Sequence, residues 1–324
     1  MSKNPHWLRK YRITIYDESG QKALVVSDSD YENTSGALKI SFNIERPGYK
    51  AIYYGEIAIY NLSLEAEQAI INEGYTVVLE AGYVDGDFGV IFKGQVFQAI
   101  WDRQDVVDMV LTLNCIDGMN IERDNFVSLT IAQKTYQKDL IKAMAAGARN
   151  AITVNIDDQV DAKQLSRGRV YFGDPKTFLN NYALDNKCQY FVSDGEINIA
   201  RVDSSDVALS QDEALVVSPE NGLIGTPQQM IDAVSFRCLL NPKIKIQYPA
   251  MLVKLDMSLI RQQKIRQGTT VNRLDQNGIY RVAQVNHIGD TRGNDWYTEV
   301  IGVTFLGKLA LWLDTAEQTM NGNG

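Results

Sequence analysis

Apolar and polar residues alternate with period two in short runs from Leu8 to about Gly118: WLRKYRITIYD, ALVVSD, ALKISFNIE, YGEIAIYNL, YTVVLEAGY, VIFKGQVFQAIWD and VVDMVLTLNC. Alternation turns one face of each run inward, so the pattern predicts six or seven antiparallel strands, enough for a barrel or sandwich. Turn chemistry separates the runs, as in DESG (Asp17–Gly20) and VDGDFG (Val84–Gly89). One stretch breaks the period. SLEAEQAIINEG has Ser63 as a cap, Glu65 and Glu67 in the first turn and Gly74 as a stop, and predicts a short helix.

The period changes between about Ile121 and Asp203. TYQKDLIKAMAAGA carries Leu140, Ile141 and Met144 on one helical face, with Thr135 as the predicted cap and Gly147 at the end. AITVNI reads as a strand. DPKTFLNNYALDNK predicts a second helix, with Asp174 as cap and Pro175 at the first helical position. CQYFVS and EINIARV flank Asp194-Gly195, a two-residue hairpin signal. The order αβαββ follows. From about Ala208 to Leu309 the β pattern returns in EALVVS, MIDAVSFRCLL, PAMLVKLD, GIYRVAQVNHIG and WYTEVIGVTFL, with QNG and DTRGND as turns and RQQKIRQGTTVNR as a polar, basic loop. The expected fold is mainly β with an α+β insert. It divides into a first β domain (1–120), a small α/β domain (121–205), a second β domain (206–310) and a tail (311–324). The similar texture of the two β domains suggests an architectural repeat.

Composition narrows the function. Of 324 residues, 45% are hydrophobic and 22% charged, a balance that supports a sizeable core. A net charge of −8 argues against binding nucleic acid through its phosphates, while suiting a wall that DNA passes without sticking. The charge is unevenly placed. Residues 61–120 hold ten acidic and two basic residues, and residues 235–310 hold five acidic and eleven basic. Either both are solvated faces, or unlike β domains attract and alternate in an assembly. Cys115, Cys188 and Cys238 lie far apart and read as buried, unpaired thiols in a reducing compartment. The start has no apolar run of signal length, and no run reaches the length of a membrane span, so no membrane insertion is expected.

Catalytic patterns are sparse. The two histidines, His6 and His287, are not near a cysteine, and HExxH is missing. His287 lies close to Asp290, but no G-x-S-x-G elbow accompanies them. Asp157/Asp158 and Asp102/Asp105/Asp108 fit turns and solvent faces better than a glycosidase pair or a calcium loop. Most of the sixteen Tyr, ten Phe and four Trp fall in strands, as core or cross-strand partners. No cofactor or metal is expected.

Three blocks carry a family resemblance. IAIYNLSLEAEQAIINEGYTVVLEAGY…FGVIFKGQVFQAIW (Ile57–Trp101) resembles the first barrel of tail-tube-like hub proteins. GDPKTFLNNYALDNKCQYFVSDGEINIA (Gly173–Ala200) resembles their middle domain, and SPENGLIGTPQQ…VSFRCLLNPKIKI (Ser218–Ile246) the start of their second barrel. The family is the baseplate hub of contractile-tailed bacteriophages, with related folds in the spike proteins of type VI secretion systems. Tyr248-Pro249 stands where relatives place a glycine-containing turn. The resemblance implies two tail-tube-like β-barrel domains and a non-enzymatic homotrimer. That trimer would form a pseudo-sixfold ring that adapts the hexameric tail tube to the trimeric spike and lines the DNA channel. The implied partners are further copies of the chain, the tail tube protein, the central spike protein, other baseplate proteins and the tape measure protein. The implied location is the virion baseplate, after assembly in the host cytoplasm. Wall-degrading and piercing activities are expected on other chains. Candidate interface residues are Gly222, Leu223, Ile224, Gly225, Pro227, Leu240, Asn241, Pro242, Lys243, Lys245 and Lys254. The alternatives are a carbohydrate- or receptor-binding tail module, a peptidoglycan hydrolase and a distal-tail adaptor of a non-contractile phage.

Overall fold

The computed structural model describes residues 8–28, 38–48, 53–70, 75–104, 106–118, 126–147, 153–156, 164–201, 214–230, 233–246, 251–260 and 277–304. The first alternating region forms β1 (Arg9–Tyr16), β2 (Lys22–Ser27), β3 (Ile40–Pro47), β4 (Tyr53–Tyr60), β5 (Thr76–Tyr83), β6 (Phe88–Arg103) and β7 (Met109–Asp117). Helix α1 (Leu64–Ile70) sits between β4 and β5, and Ser63 Oγ accepts from Ala66 N–H as a cap. The last region forms β13 (Leu215–Val217), β14 (Leu223–Gln229), β15 (Ala233–Leu239), β16 (Leu252–Leu255), β17 (Ile279–Asp290) and β18 (Trp296–Thr304). All thirteen strands belong to one sheet.

The two halves of this sheet repeat each other. The first runs β3-β4-β7-β6-β5-β1-β2 and the second β14-β15-β18-β17-β16-β13. Read position by position, β14 stands for β3, β15 for β4, β18 for β7, β17 for β6, β16 for β5 and β13 for β1. Every matched pair is antiparallel in both halves except the last, where β13 runs parallel to β16 while β1 is antiparallel to β5. The registers carry the same irregularity. β6 shifts against β7 between Val96 and Gln98, and β17 shifts against β18 between Val282 and Gln284. A bulge increases local twist and is a specified feature of a strand, so a shared bulge in V-x-Q supports the correspondence.

Between the halves lie β8 (Val127–Ile131), α2 (Gln137–Ala146), β9 (Val154–Ile156), β10 (Arg169–Gly173), α3 (Pro175–Asn186), β11 (Cys188–Ser193) and β12 (Glu196–Arg201). β11, β12 and β9 form one small sheet, and β8 with β10 another. The β8–β10 pair was not foreseen, because Val170 and Phe172 face outward at 75% and 74% exposure and the alternation is weak. Asp174 Oδ1 accepts from Thr177 N–H at 2.7 Å, with Pro175 beginning α3, as the sequence implies. Thr135 is not a cap. Its hydroxyl donates to Ala132 O, and Tyr136 occupies the cap position of α2 without a side-chain bond. Gly74, the basic loop 261–273, Tyr248-Pro249 and the tail 311–324 lie outside the described residues.

Each region has its own core. One gathers around Ile13, Ile44, Ile57, Leu79, Phe92 and Leu113, a second around Val234, Phe236, Val253, Tyr280 and Val300, and a third around Ile141, Leu179, Val192 and Ile199. Cys115, Cys188 and Cys238 are buried thiols, and none of the three is joined in a disulfide.

Candidate assembly interface

The halves meet along β17. Its early residues pair with β16 (Ile279↔Lys254 to Arg281↔Leu252), and its later residues pair with β3 (Gln284↔Pro47 to Asp290↔Ser41). The bulge at Ala283 lies where the strand changes partner. There Gly48 N–H donates to Ala283 O at 2.9 Å, and a Cβ on Gly48 would lie 2.0 Å from that oxygen. At the far end Trp296 of the second half enters the first core. It is 3% exposed, stacks edge-on with Phe42 at 5.4 Å and donates from Nε1 to Gly82 O. Arg9 donates to Asp290 O and Gly293 O and lies over the Trp296 ring.

Charged side chains tie all three regions together at this junction. The inward face of β3 runs Ile40, Phe42, Ile44 and Arg46, and that of β7 runs Leu111, Leu113, Cys115 and Asp117. Each strand thus extends a buried apolar face by one charge. Arg46, fully buried, donates to Asp194 Oδ1 (2.7 Å), Ser193 Oγ (3.0 Å) and Ile91 O (2.8 Å). Asp194 and Gly195 form the tip of the β11–β12 hairpin, both at positive φ, as a type I′ turn needs. Asp117 accepts from both of their amides, at 2.6 and 2.9 Å. Lys245 of the second half reaches Asp194 Oδ2 at 3.3 Å. His287 on β17 is fully buried beside them, and its Nδ1 lies 2.9 Å from Thr298 Oγ1. That hydroxyl also accepts from Asn241 N–H, leaving its own proton for Nδ1.

The protonation states follow from burial and from these neighbours. Burial pushes Asp117 up to about 7, against the pull of Arg46 and the two amides. Burial also opposes charge on Asp194, yet Arg46 and Lys245 prevail and hold it below the usual carboxylate range. His287 is pushed down to about 3, first by burial and then by Arg46 and Lys245, so it stays neutral. Its neighbours are Thr298, the cations Arg46 and Lys245, and the Asp194 carboxylate that those cations bind, while the Asp290 carboxylate is turned to Arg292 and Gly293 N–H. Among the described residues no group of three or more His, Cys, Asp or Glu is placed to hold a metal, and no helix is long and apolar enough to cross a membrane.

The candidate residues fall into two places. Leu240 is buried in the first core, Asn241 N–H bonds Thr298, Pro242 abuts Gly89, and Lys243 pairs with Asp87 at 2.5 Å. With Lys245, they lie at the junction inside the chain. Acidic first half and basic second half therefore do meet, at Lys243–Asp87. The second group is Gly222, Leu223, Ile224, Gly225 and Pro227, on and before β14, which pairs only with β15 among the described strands. Lys254 is exposed on β16. Arg46, Asp117, Asp194 and Trp296 were not foreseen as site residues. The signal available was a charge continuing the inward face of β3 and of β7.

Residues 23–257 match the sequence model of one family, described as baseplate hub gp41. The chain belongs to that family. Solved structures share its fold. The 43 kDa tail protein of prophage MuSo2 from Shewanella oneidensis superposes with a TM-score of 0.56 at 8% identity, covering 92% of this chain and 98% of that one. A tail protein from Neisseria meningitidis gives 0.55 at 10% identity, covering 90% and 96%. The c3393 protein of E. coli, described as a type VI secretion component similar to the T4 tail proteins gp27 and gp5, gives 0.51 at 7%, covering 84% and 75%. No curated protein matches in sequence. The fold is mainly β, as expected, and the family is a structural one of the phage tail and baseplate, associated with the virion.

Proposed function

We propose that three copies of this chain close a ring of six tube-like units, two per copy, between the sixfold tail tube and a threefold spike. One observation carries the reading: the chain holds the same strand order twice, side by side in one sheet, so a single copy presents two similar but unequal units. Three such pairs meet a hexamer on one face and a trimer on the other. We take the chain as three units, 1–120, 121–205 and 206–310, whose cores share residues at the junction: Leu240 and Trp296 enter the first core, and Tyr53 and Phe191 the second. On this reading the chain has no enzymatic role, and DNA passes through the lumen without specific binding. Its partners are further copies of itself, the tail tube protein, the central spike protein, other baseplate proteins and the tape measure protein, with assembly in the host cytoplasm. Gly222–Pro227 and Lys254 contribute contacts between copies, and Leu240–Lys245 set the angle between the units of one copy. Light scattering of the purified protein over a concentration series tests the copy number. A limiting mass of three times 36.3 kDa supports the ring, and a limiting dimer or tetramer overturns it.

A further inference from the structure

We infer that the contact between neighbouring copies repeats the contact inside the chain: the C-terminal half of β6 in one copy pairs with the open edge of β14 in the next. This rests on the ring proposed above and names the strands that close it. Inside the chain, β17 of the second half pairs antiparallel with β3 of the first. The strand-order match makes β6 the counterpart of β17 and β14 the counterpart of β3. Both counterparts are open where the pairing requires it. β6 pairs with β5 only up to Gln95, so from Gln98 onward its one partner among the described strands is β7. β14 has β15 on one side and, among the described strands, none on the other. A Cβ on Gly225, in its bulge, would meet nothing within 4 Å.

The register can be transferred. The shared bulge sets Gln98 against Gln284, hence Ile100 against Asn286, and Gln104 against Asp290. The pairings through β4 and β15 set Ser41 against Ile224, Ile44 against Gln229, and Glu45 against Met230. Because Asn286 faces Glu45 and Asp290 faces Ser41 inside the chain, Ile100 must face Met230, and Gln104 must face Ile224, across the boundary. Ile100 is 41% exposed, Met230 43% and Ile224 38%. The transferred register thus sets Ile100 against Met230, an apolar pair that a single copy leaves in water, and covers Ile224 with the stem of Gln104. It also places the β6–β7 tip, with Val106 and Val107 at 78% and 81% exposure, over the next copy's second half. Met109 holds the place of Trp296, the residue that plugs the first core inside the chain. The bulge and Pro227 interrupt β14, which limits pairing along it to this short stretch and discourages other strands from adding there. The contact is head-to-tail, which closes a ring only at a fixed rotation per copy.

Cysteine cross-linking tests it. Facing residues of an antiparallel pair have Cα atoms about 4.5–5.5 Å apart, within disulfide range. Under mild oxidation Ile100→Cys/Met230→Cys should give a ladder of covalent oligomers ending in a closed ring. A mixture of Ile100→Cys chains with Met230→Cys chains should stop at a covalent dimer, and neither single variant should link to itself. Val25→Cys, on the opposite edge strand β2, combined with Met230→Cys should give no link. If the unmodified protein oligomerises but the double variant does not cross-link, or if Ile100→Cys links to itself as well as the mixture does, the strand assignment is overturned and the ring survives. If the unmodified protein is monomeric at every concentration, both fall.

Discussion

Arg46→Met should cost the protein several kcal/mol, because Arg46 bonds to Ile91 of the first half, to the hairpin tip and to its neighbouring serine at once. The substitution keeps much of the aliphatic stem and removes three hydrogen bonds, to Asp194, Ser193 and Ile91. Removing one partner of a buried ion pair costs about 3–5 kcal/mol, since the remaining charge stays buried. Two features place this site at the lower end. Asp194 keeps Lys245 at 3.3 Å, and Asp117, already pushed up to about 7, can take a proton near neutral pH. A loss of about 3 kcal/mol is therefore expected at pH 7. In an Asp194→Asn background the same change should cost less, with a coupling of about 1–3 kcal/mol between the two positions. Urea unfolding followed by tryptophan fluorescence reads the losses, and limited proteolysis reads undocking of the β11–β12 hairpin. A loss below about 1 kcal/mol, or a coupling near zero, would show that the cluster does not join the regions.

Three further substitutions probe the junction. Gly48→Ala should lower stability by about 1–3 kcal/mol, because its Cβ would meet the Ala283 carbonyl in the bulge; an unchanged thermal midpoint contradicts this. Trp296→Ala should cost about 3–5 kcal/mol through the void left in the first core, and a loss under about 1 kcal/mol in urea would mean the two halves are not packed as described. The pH dependence should rest on two opposed groups. His287, lowered from 6.5 to about 3, contributes stability that is present above pH 6.5 and lost as the pH falls toward 3. Asp117, raised from 3.8 to about 7, contributes stability that is present below 3.8 and lost as the pH rises through 7. Between these limits the two cancel, so Asp117→Asn should expose the His287 slope, about 1.4 kcal/mol per pH unit, as pH falls from 6.5 to 4. Parallel wild-type and variant curves over that range would contradict the assignment.

The sequence made the strands, the hairpin and the cap of α3 legible, because each depends on neighbours along the chain. Alternation identified β1 to β7, and Asp194-Gly195 identified the type I′ turn. What that turn is for was not legible. Its tip meets Asp117 and Arg46, 77 and 148 residues away, and only the fold brings them together. A trace was nevertheless present, since Arg46 and Asp117 each stand where the next apolar residue of an inward face belongs. The unequal charges of residues 61–120 and 235–310 hinted at attraction between unlike halves, and Lys243 does meet Asp87. Charge counts along the chain do not distinguish a pair within one chain from a pair between copies. The repeat was legible only as texture. Its proof is the strand order and the shared V-x-Q bulge, which few matching side chains announce.

The central claim is that two unequal tube-like units per chain close into a sixfold-like ring. It is tested most directly by electron-microscopy class averages of the purified assembly viewed down its axis. Three copies showing six lobes around a central opening, alternating in outline between first and second units, are predicted. A closed particle with any other copy number, or one in which like units lie side by side, would contradict it.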